Sequence, residues 1–350
     1  MRIVYLHTKP SFSEIDDLIL DIRSNFKSDD FQLYEIQYVD FKWHKLSIIK
    51  KIRHFLINNK IDIIHTYYFI DAFYALLLTK YLNVKVIYSC YSYHDKLRGL
   101  SKMMMKYVLN NVSSIIFQTD VQRNKFLSKF NLNPQNHFKL LHGFSMERLD
   151  SRESKSLRDE YFIDDFRYLI GTYGDFTPER DMLSVYKMVK RLRKSGRNFT
   201  CLVAGEMIDE FDFYFDECKY YYLLHGLDNY ITYVGHHDNA VDFMRQLDAF
   251  VYHSNNEAVA LPVIQAMISG VNVIVNDDEM IKEITSNGKY ATLYKSNDIV
   301  DFTNNTRQIL SDLEDYQLIA ETVSEECRKI FSIKKHIQGL KEIYKKVNNF

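Results

Sequence analysis

The chain has little of what usually punctuates or cross-links a fold. Its 350 residues include 11 glycines, four prolines and four cysteines. Cys90, Cys201, Cys218 and Cys327 lie far apart and form no CxxC pair, which argues against a zinc site or a disulfide framework. Cys90 and Cys201 fall in apolar, strand-like runs, so buried free thiols in a reducing compartment are expected. Neither sign of charge dominates. The 45 Lys and Arg against 46 Asp and Glu leave a net charge of −1, which gives no field to attract nucleic acid. No apolar run approaches the roughly 18 residues of a membrane span. The opening MRIVYLHT reads directly as a strand, with no signal peptide, so a cytoplasmic location is the expectation. With 46% apolar and 26% charged residues, the composition is that of a globular chain long enough for two domains.

What is present centres on Asp248 to Asn276, DAFVYHSNNEAVALPVIQAMISGVNVIVN. Asp248 to His253 is a short run that favours a buried strand, and Ser254, Asn255 and Asn256 supply turn chemistry. Pro262 suits a first helical turn, where its missing N–H has no partner in any case. Val263, Ile264, Ala266 and Met267 form an apolar helix face, Gly270 stops it, and Val271 to Val275 is the next strand. Glu257 then lies in the loop at the carboxyl edge of a parallel strand, and Gln265 about one turn into the helix. Backbone N–H groups of Val259, Ala260, Leu261 and Val263 would point out of the helix's positive end, a ready place for phosphate. A carboxylate beside such a place suits a ligand with an anionic group and hydroxyls, as in a nucleotide sugar.

This stretch resembles the donor-site signature of the GT4-type retaining glycosyltransferases, in which two glutamates are separated by seven residues. Glu257 matches the first, and Gln265 stands at the second. Ala258 and Ala260 replace glycines, and Asn272 replaces a proline. GDFTPERD, from Gly174 to Asp181, resembles the family's Gly-Arg-x-x-x-x-Lys-Gly loop, whose cations clamp the donor diphosphate. Arg180 stands at the lysine position and keeps the charge; Asp175 stands at the arginine position and reverses it. FTCLVAG (199–205) is similar to the strand that precedes the nucleobase site, which places Glu206 near the base. ITYVG (231–235) is similar to the strand before the base-binding turn. His236 and His237 follow it, and adjacent turn residues rarely ligate one ion, so no metal site is expected. After the strand Val84 to Cys90, His94 is the nearest histidine to the family's Thr-x-His. It reads either as a contact to the sugar or as a solvated loop residue.

The resemblance implies a GT-B fold, two Rossmann-like doubly wound parallel-sheet α/β domains facing across a cleft. Residues 1–145 would form the acceptor domain, 146–166 a linker, 167–330 the nucleotide-sugar domain and 331–350 a helix crossing back to the first. Two helices, 298–312 and 315–349, would close the chain. No Asp-x-Asp occurs, which argues against the metal-dependent alternative fold for sugar transfer. The basic segment 41–60 interleaves Lys42, Lys45, Lys50, Lys51, Arg53 and Lys60 with apolar residues. It suits either the inner membrane surface or a surface helix whose stripe is core. A second basic stretch, 96–106, carries Met103, Met104 and Met105. The implied activity is metal-independent, hexosyltransferase-like retaining transfer from a nucleotide-diphosphate sugar, with no further cofactor. The acceptor would be a glycan, lipid-linked, in bacterial surface polysaccharide or glycoconjugate synthesis. A different reading is a non-catalytic GT-B subunit that binds a glycan or a partner transferase, for which Asp175 and Gln265 speak.

Overall fold

A computed structural model describes residues 1–8, 14–28, 30–38, 46–94, 97–151, 155–237 and 239–349. They divide into two compact units, residues 1–145 with 331–350, and residues 146–330.

The first unit alternates strands and helices. In chain order these are β1 (Arg2–Thr8), α1 (Glu14–Asn25), β2 (Gln32–Tyr38), α2 (Leu46–Asn58), β3 (Ile63–Thr66), α3 (Phe69–Thr79), β4 (Lys85–Cys90), α4 (Gly99–Asn111), β5 (Ser114–Phe117), α5 (Asp120–Phe130) and β6 (His137–Lys139). All pairings are parallel, in the order β2-β1-β3-β4-β5-β6. Strands sandwiched between helices must be apolar on both faces, and every residue of β3 and β5 is buried.

The second unit holds α6 (Met146–Asp150), α7 (Leu157–Glu160), β7 (Tyr168–Tyr173), α8 (Met182–Leu192), β8 (Phe199–Ala204), α9 (Asp212–Leu224), β9 (Ile231–Gly235), α10 (Ala240–Arg245), β10 (Ala249–Tyr252), α11 (Leu261–Ser269), β11 (Asn272–Asn276), α12 (Glu279–Ile284), β12 (Thr292–Tyr294), α13 (Ile299–Ser311) and α14 (Leu313–Ile330). Its parallel sheet runs β12-β11-β10-β7-β8-β9. The chain builds outward from β7 through β8 to β9, then returns to the other side of β7 with β10. The switch point therefore lies between β7 and β10, and the loops after those strands flank the crevice where such sheets bind ligands.

Two expectations are corrected. The stretch 146–166, read as a linker, is folded into the second unit. Leu149, Leu157 and Ile163 are buried, and the Leu157 N–H donates to Gln246 Oε1 at 2.7 Å. Asp150 pairs with both Arg245 and Arg328. The charged composition concealed three apolar anchors. The single closing helix expected over 315–349 is instead two, α14 and α15 (Ile333–Asn348), separated at Phe331 and Ser332. There the backbone leaves the helix to bridge Phe144. Phe144 N–H donates to Phe331 O and Ile333 N–H donates to Phe144 O, both at 2.8 Å. The Ser332 side chain then caps α15 by accepting from Lys335 N–H.

α15 lays Ile333, Ile337, Leu340, Tyr344 and Val347 along one stripe into the core of the first unit. Within the basic segment, residues 39–45, and so Lys42 and Lys45, lie outside the described residues, as does Lys96 of the second stretch. In α2, Ile52 and Leu56 are buried, and Arg53 donates to the carbonyls of Leu78 and Lys80 at 2.7 and 3.1 Å. That guanidinium satisfies carbonyls left open at the end of α3.

Candidate functional site

The loops after β7 and β10 are laced together by their backbones. Asn255 N–H donates to Glu179 O at 2.7 Å, Asp181 N–H donates to His253 O at 3.2 Å, and Arg180 bridges Ser254. Asn276, at the end of β11, grips Ser254 from below: its Oδ1 accepts from Ser254 N–H at 2.8 Å and its Nδ2 donates to Ser254 O at 2.9 Å. Asp181 caps α8 and fixes where the first loop ends.

This lacing brings Arg180 to Glu257, 77 positions apart in sequence, with Nε donating to Oε1 at 3.1 Å. The Arg180 guanidinium lies over Gly174: a Cβ there would come within 2.6 Å of it, and Gly174 takes φ +132°. Sequence reading did not include Tyr252, whose hydroxyl donates to both carboxylate oxygens of Glu257 at 3.1 and 3.0 Å. A tyrosine ending a fully buried strand must find a partner for its hydroxyl, and that was the available signal. Glu257 is 9% exposed. Burial pushes its carboxyl above the usual range, against the pull of the Arg180 charge and the hydrogen bonds.

Asp175 is engaged by the loop after β8. Its Oδ1 accepts from Glu206 N–H at 3.2 Å, and Phe176 N–H donates to Glu206 O at 3.0 Å, which extends the β7–β8 pairing. The Glu206 side chain itself is exposed, with His236 Nδ1 at 3.7 Å. Gly205 holds this corner at φ +150°, where a Cβ would lie 2.0 Å from Gly174 O.

Val259, Ala260 and Leu261 lead into the first turn of α11, which contains Pro262. The first N–H groups of a helix have no carbonyl four residues back, but that of Val263, expected to point outward, donates to Ala260 O at 3.1 Å. Gln265, the fifth residue of the helix, is 8% exposed, and its Oε1 has no hydrogen-bond partner. An acceptor in that state costs about 1–3 kcal/mol until something donates to it. The second unit thus assembles Gly174, Arg180, Glu206, Glu257, the Val259–Leu261 backbone and Gln265 on loops and a helix start at the sheet's carboxyl edge. His94 belongs to the first unit, one strand beyond its β1–β3 switch point. There its Nε2 is bonded to the Tyr88 hydroxyl at 2.7 Å. Among the described residues, no group of three or more His, Cys, Asp or Glu side chains is arranged to hold a metal ion.

Two Rossmann-like units, one with a cation, a buried carboxylate and a helix start at its switch point, define the class: this is the GT-B architecture. Residues 153–325 match the family model of glycosyl transferases group 1, and residues 21–119 match that of glycosyl transferase 4-like proteins. The chain belongs to the group 1 glycosyl transferases. The lipopolysaccharide core biosynthesis mannosyltransferase LpsB of Rhizobium meliloti is 26% identical over 157 residues, which is 44% of this chain and 44% of that relative. The chain therefore matches less than half the length of that relative. The Anabaena protein HepE, crystallised with UDP and glucose, superimposes with a TM-score of 0.82 at 13% identity over 98% of both chains. A Rickettsia africae glycosyltransferase gives 0.82 at 15% identity over 99% of this chain and 98% of its own. Likeness at such identity bears on the fold.

Proposed function

We propose that the chain is a GT4-type retaining glycosyltransferase, moving a hexose from a nucleotide-diphosphate donor to a glycan, lipid-linked, in bacterial surface polysaccharide synthesis. The observation that carries this reading is the Arg180–Glu257 pair beside the start of α11, with the unpartnered Gln265 acceptor on the same helix. The Arg180 guanidinium and the helix start put positive charge where a departing diphosphate develops its negative charge, which is where such help lowers a barrier most. Because that charge comes from the chain, transfer proceeds without a metal. Glu257 takes hydrogen bonds from donor-sugar hydroxyls, Gln265 Oε1 accepts from a ribose hydroxyl, and the exposed Glu206 borders the base. HepE binds UDP and glucose in its crystal and LpsB is a mannosyltransferase of lipopolysaccharide core biosynthesis, which supports a nucleotide sugar and a surface glycan here.

The test is thermal stabilisation by UDP, GDP, ADP, dTDP and CMP compounds and their sugars. A ligand at a hundred times its Kd adds about 2.7 kcal/mol. One nucleotide series should raise Tm clearly, and Arg180→Ala should abolish the rise. No rise with any member at millimolar concentration would reject donor binding and leave the reading of a non-catalytic glycan- or partner-binding subunit.

A further inference from the structure

The segment between β10 and Glu257 is held by the two strands that follow it in the chain. Asn276 ends β11 and Tyr294 ends β12, and each is 1% exposed. A buried carboxamide needs partners at both ends. Asn276 directs both at the backbone of Ser254 and gives its remaining N–H to Ser296 Oγ at 3.1 Å. Ser296 is fixed in turn: its N–H and its hydroxyl donate to Asp277 Oδ1 at 2.8 and 2.9 Å. The Tyr294 hydroxyl donates to Tyr252 O at 3.2 Å and lies 2.7 Å from His253 Nδ1. A carbonyl can only accept, so the one hydroxyl proton goes to Tyr252 O, and His253 Nδ1–H donates to Tyr294. The Tyr294 ring stacks on Phe302 of α13 with centroids 4.0 Å apart.

Tyr252, His253 and Ser254 are therefore each anchored to β11 or β12, and each also reaches the Arg180–Glu257 pair or its neighbour. The Tyr252 hydroxyl donates to the Glu257 carboxylate, His253 O accepts from Asp181 N–H, and Ser254 bridges Arg180. Bonds between the two loops alone would let them shift together; the bonds from Asn276 and Tyr294 tie them to the sheet. Both side chains are buried, so what they do for the site passes through residues 252–254. A misplacement of about 1 Å at a reacting group can cost two orders of magnitude, and a tie of this kind bears on the site as much as on the fold.

We propose that Asn276 and Tyr294 are positioning residues of the donor site: they register residues 252–254 so that Arg180 and Glu257 face the donor together. The inference rests on the donor-site reading above.

The test titrates the full chain with UDP-, GDP-, ADP-, dTDP- and CMP-sugars and carries the one that binds the wild type on to the variants. Asn276→Ala should raise its Kd at least about tenfold. Tyr294→Phe, which keeps the ring on Phe302, should raise it about threefold or more. Out of register, Arg180 no longer favours the charged Glu257 carboxylate, so the acid limb of binding should move up by about half a pH unit or more in both variants. A role in the fold alone would lower the melting temperature without ligand. It would leave the Kd and the acid limb, measured below that temperature, as in the wild type, and that result would overturn the proposal. A weaker Kd with an unmoved acid limb would overturn it too, since the loss would then not pass through Arg180 and Glu257. Should Asn276→Ala fail to fold, Tyr294→Phe decides by the same two readings. A wild type that binds none of the sugars would remove the donor-site reading and this inference with it, whereas normal binding by the variants removes this inference alone.

Discussion

At Glu257, burial and pairing pull in opposite directions. Desolvation raises its carboxyl, while Arg180 and the Tyr252 hydroxyl hold it down, and burial prevails. Tyr252→Phe removes the one hydroxyl proton shared between the two carboxylate oxygens without changing the shape of the core, so Glu257 should become still harder to ionise. We expect the acid limb of nucleotide-sugar binding, read as melting shift against pH, to move up by about one pH unit or more. The stability sign follows from linkage. A carboxyl raised on folding contributes fully below its unfolded value of 4.5 and loses that contribution as pH rises through the raised value. The Tyr252→Phe cost should therefore be larger at pH 7 than at pH 4. An unmoved acid limb would mean that the phenol does nothing for the charged state. Gly205 makes a second, backbone prediction. Because a Cβ would meet Gly174 O at 2.0 Å in a left-handed conformation, Gly205→Ala should cost ~3 kcal/mol or more, read from the urea midpoint. Local pattern put Glu257 at a strand's carboxyl edge and Gln265 on the helix after it, and the resemblance singled out Arg180 in another loop; the structure adds that Arg180 and Glu257 are paired. The orientation of Asp175 and the role of Tyr252 were not legible, because each depends on a neighbouring strand's loop rather than on local pattern.

Among the elements, α15 is held by a buried polar chain as well as by its apolar stripe. The Tyr344 hydroxyl is bonded to the Tyr5 hydroxyl at 2.7 Å and to His65 Nδ1 at 2.6 Å, and His65 Nε2 is bonded to Ser89 Oγ at 2.8 Å. One helix is thereby tied to β1, β3 and β4. Burial drives the His65 imidazole from 6.5 down to about 3, so it is neutral when folded. A base depressed on folding contributes its full stability above its unfolded value and loses it as pH falls toward the folded one. Between 6.5 and about 3, this histidine should cost the first unit on the order of 3 kcal/mol by pH 4. His336, pushed down to about 4 by burial, adds to the loss. Urea unfolding at pH 7 and pH 4 checks this, and a His65→Gln variant should show a smaller drop between the two. In the sequence, His65 simply follows the apolar pair Ile63 and Ile64. Its bond to Tyr344 spans 279 positions, and the helix break at Ser332 depends equally on distant Phe144. Local pattern reports neither.

Across the whole molecule, the alternation of apolar runs with amphipathic segments made both parallel sheets readable, since strands covered on both faces leave near-continuous hydrophobic signatures. That the last helix returns to the first unit was implied by the resemblance rather than by this alternation. Ile337, Leu340, Ile343, Tyr344 and Val347 are all buried there. At roughly 1.5–3 kcal/mol for each fully buried large side chain, their loss is on the order of 10 kcal/mol, comparable with the 5–15 kcal/mol that holds a domain together. A chain ending at residue 330 should therefore lose the first unit's fold. The second unit should survive the same cut, because its beginning and end are tied to each other through Asp150 and Arg328 and its core draws on its own elements. We expect the 146–330 fragment, expressed alone, to melt cooperatively and to keep the nucleotide's affinity within about threefold of the full chain, since Arg180, Glu257, Gln265 and the start of α11 all lie inside it. Calorimetry with and without nucleotide decides the matter. A fragment that folds but ignores a nucleotide the full chain binds would place part of the nucleotide site outside the second unit, and the Arg180–Glu257 pair would then have to be read as structural.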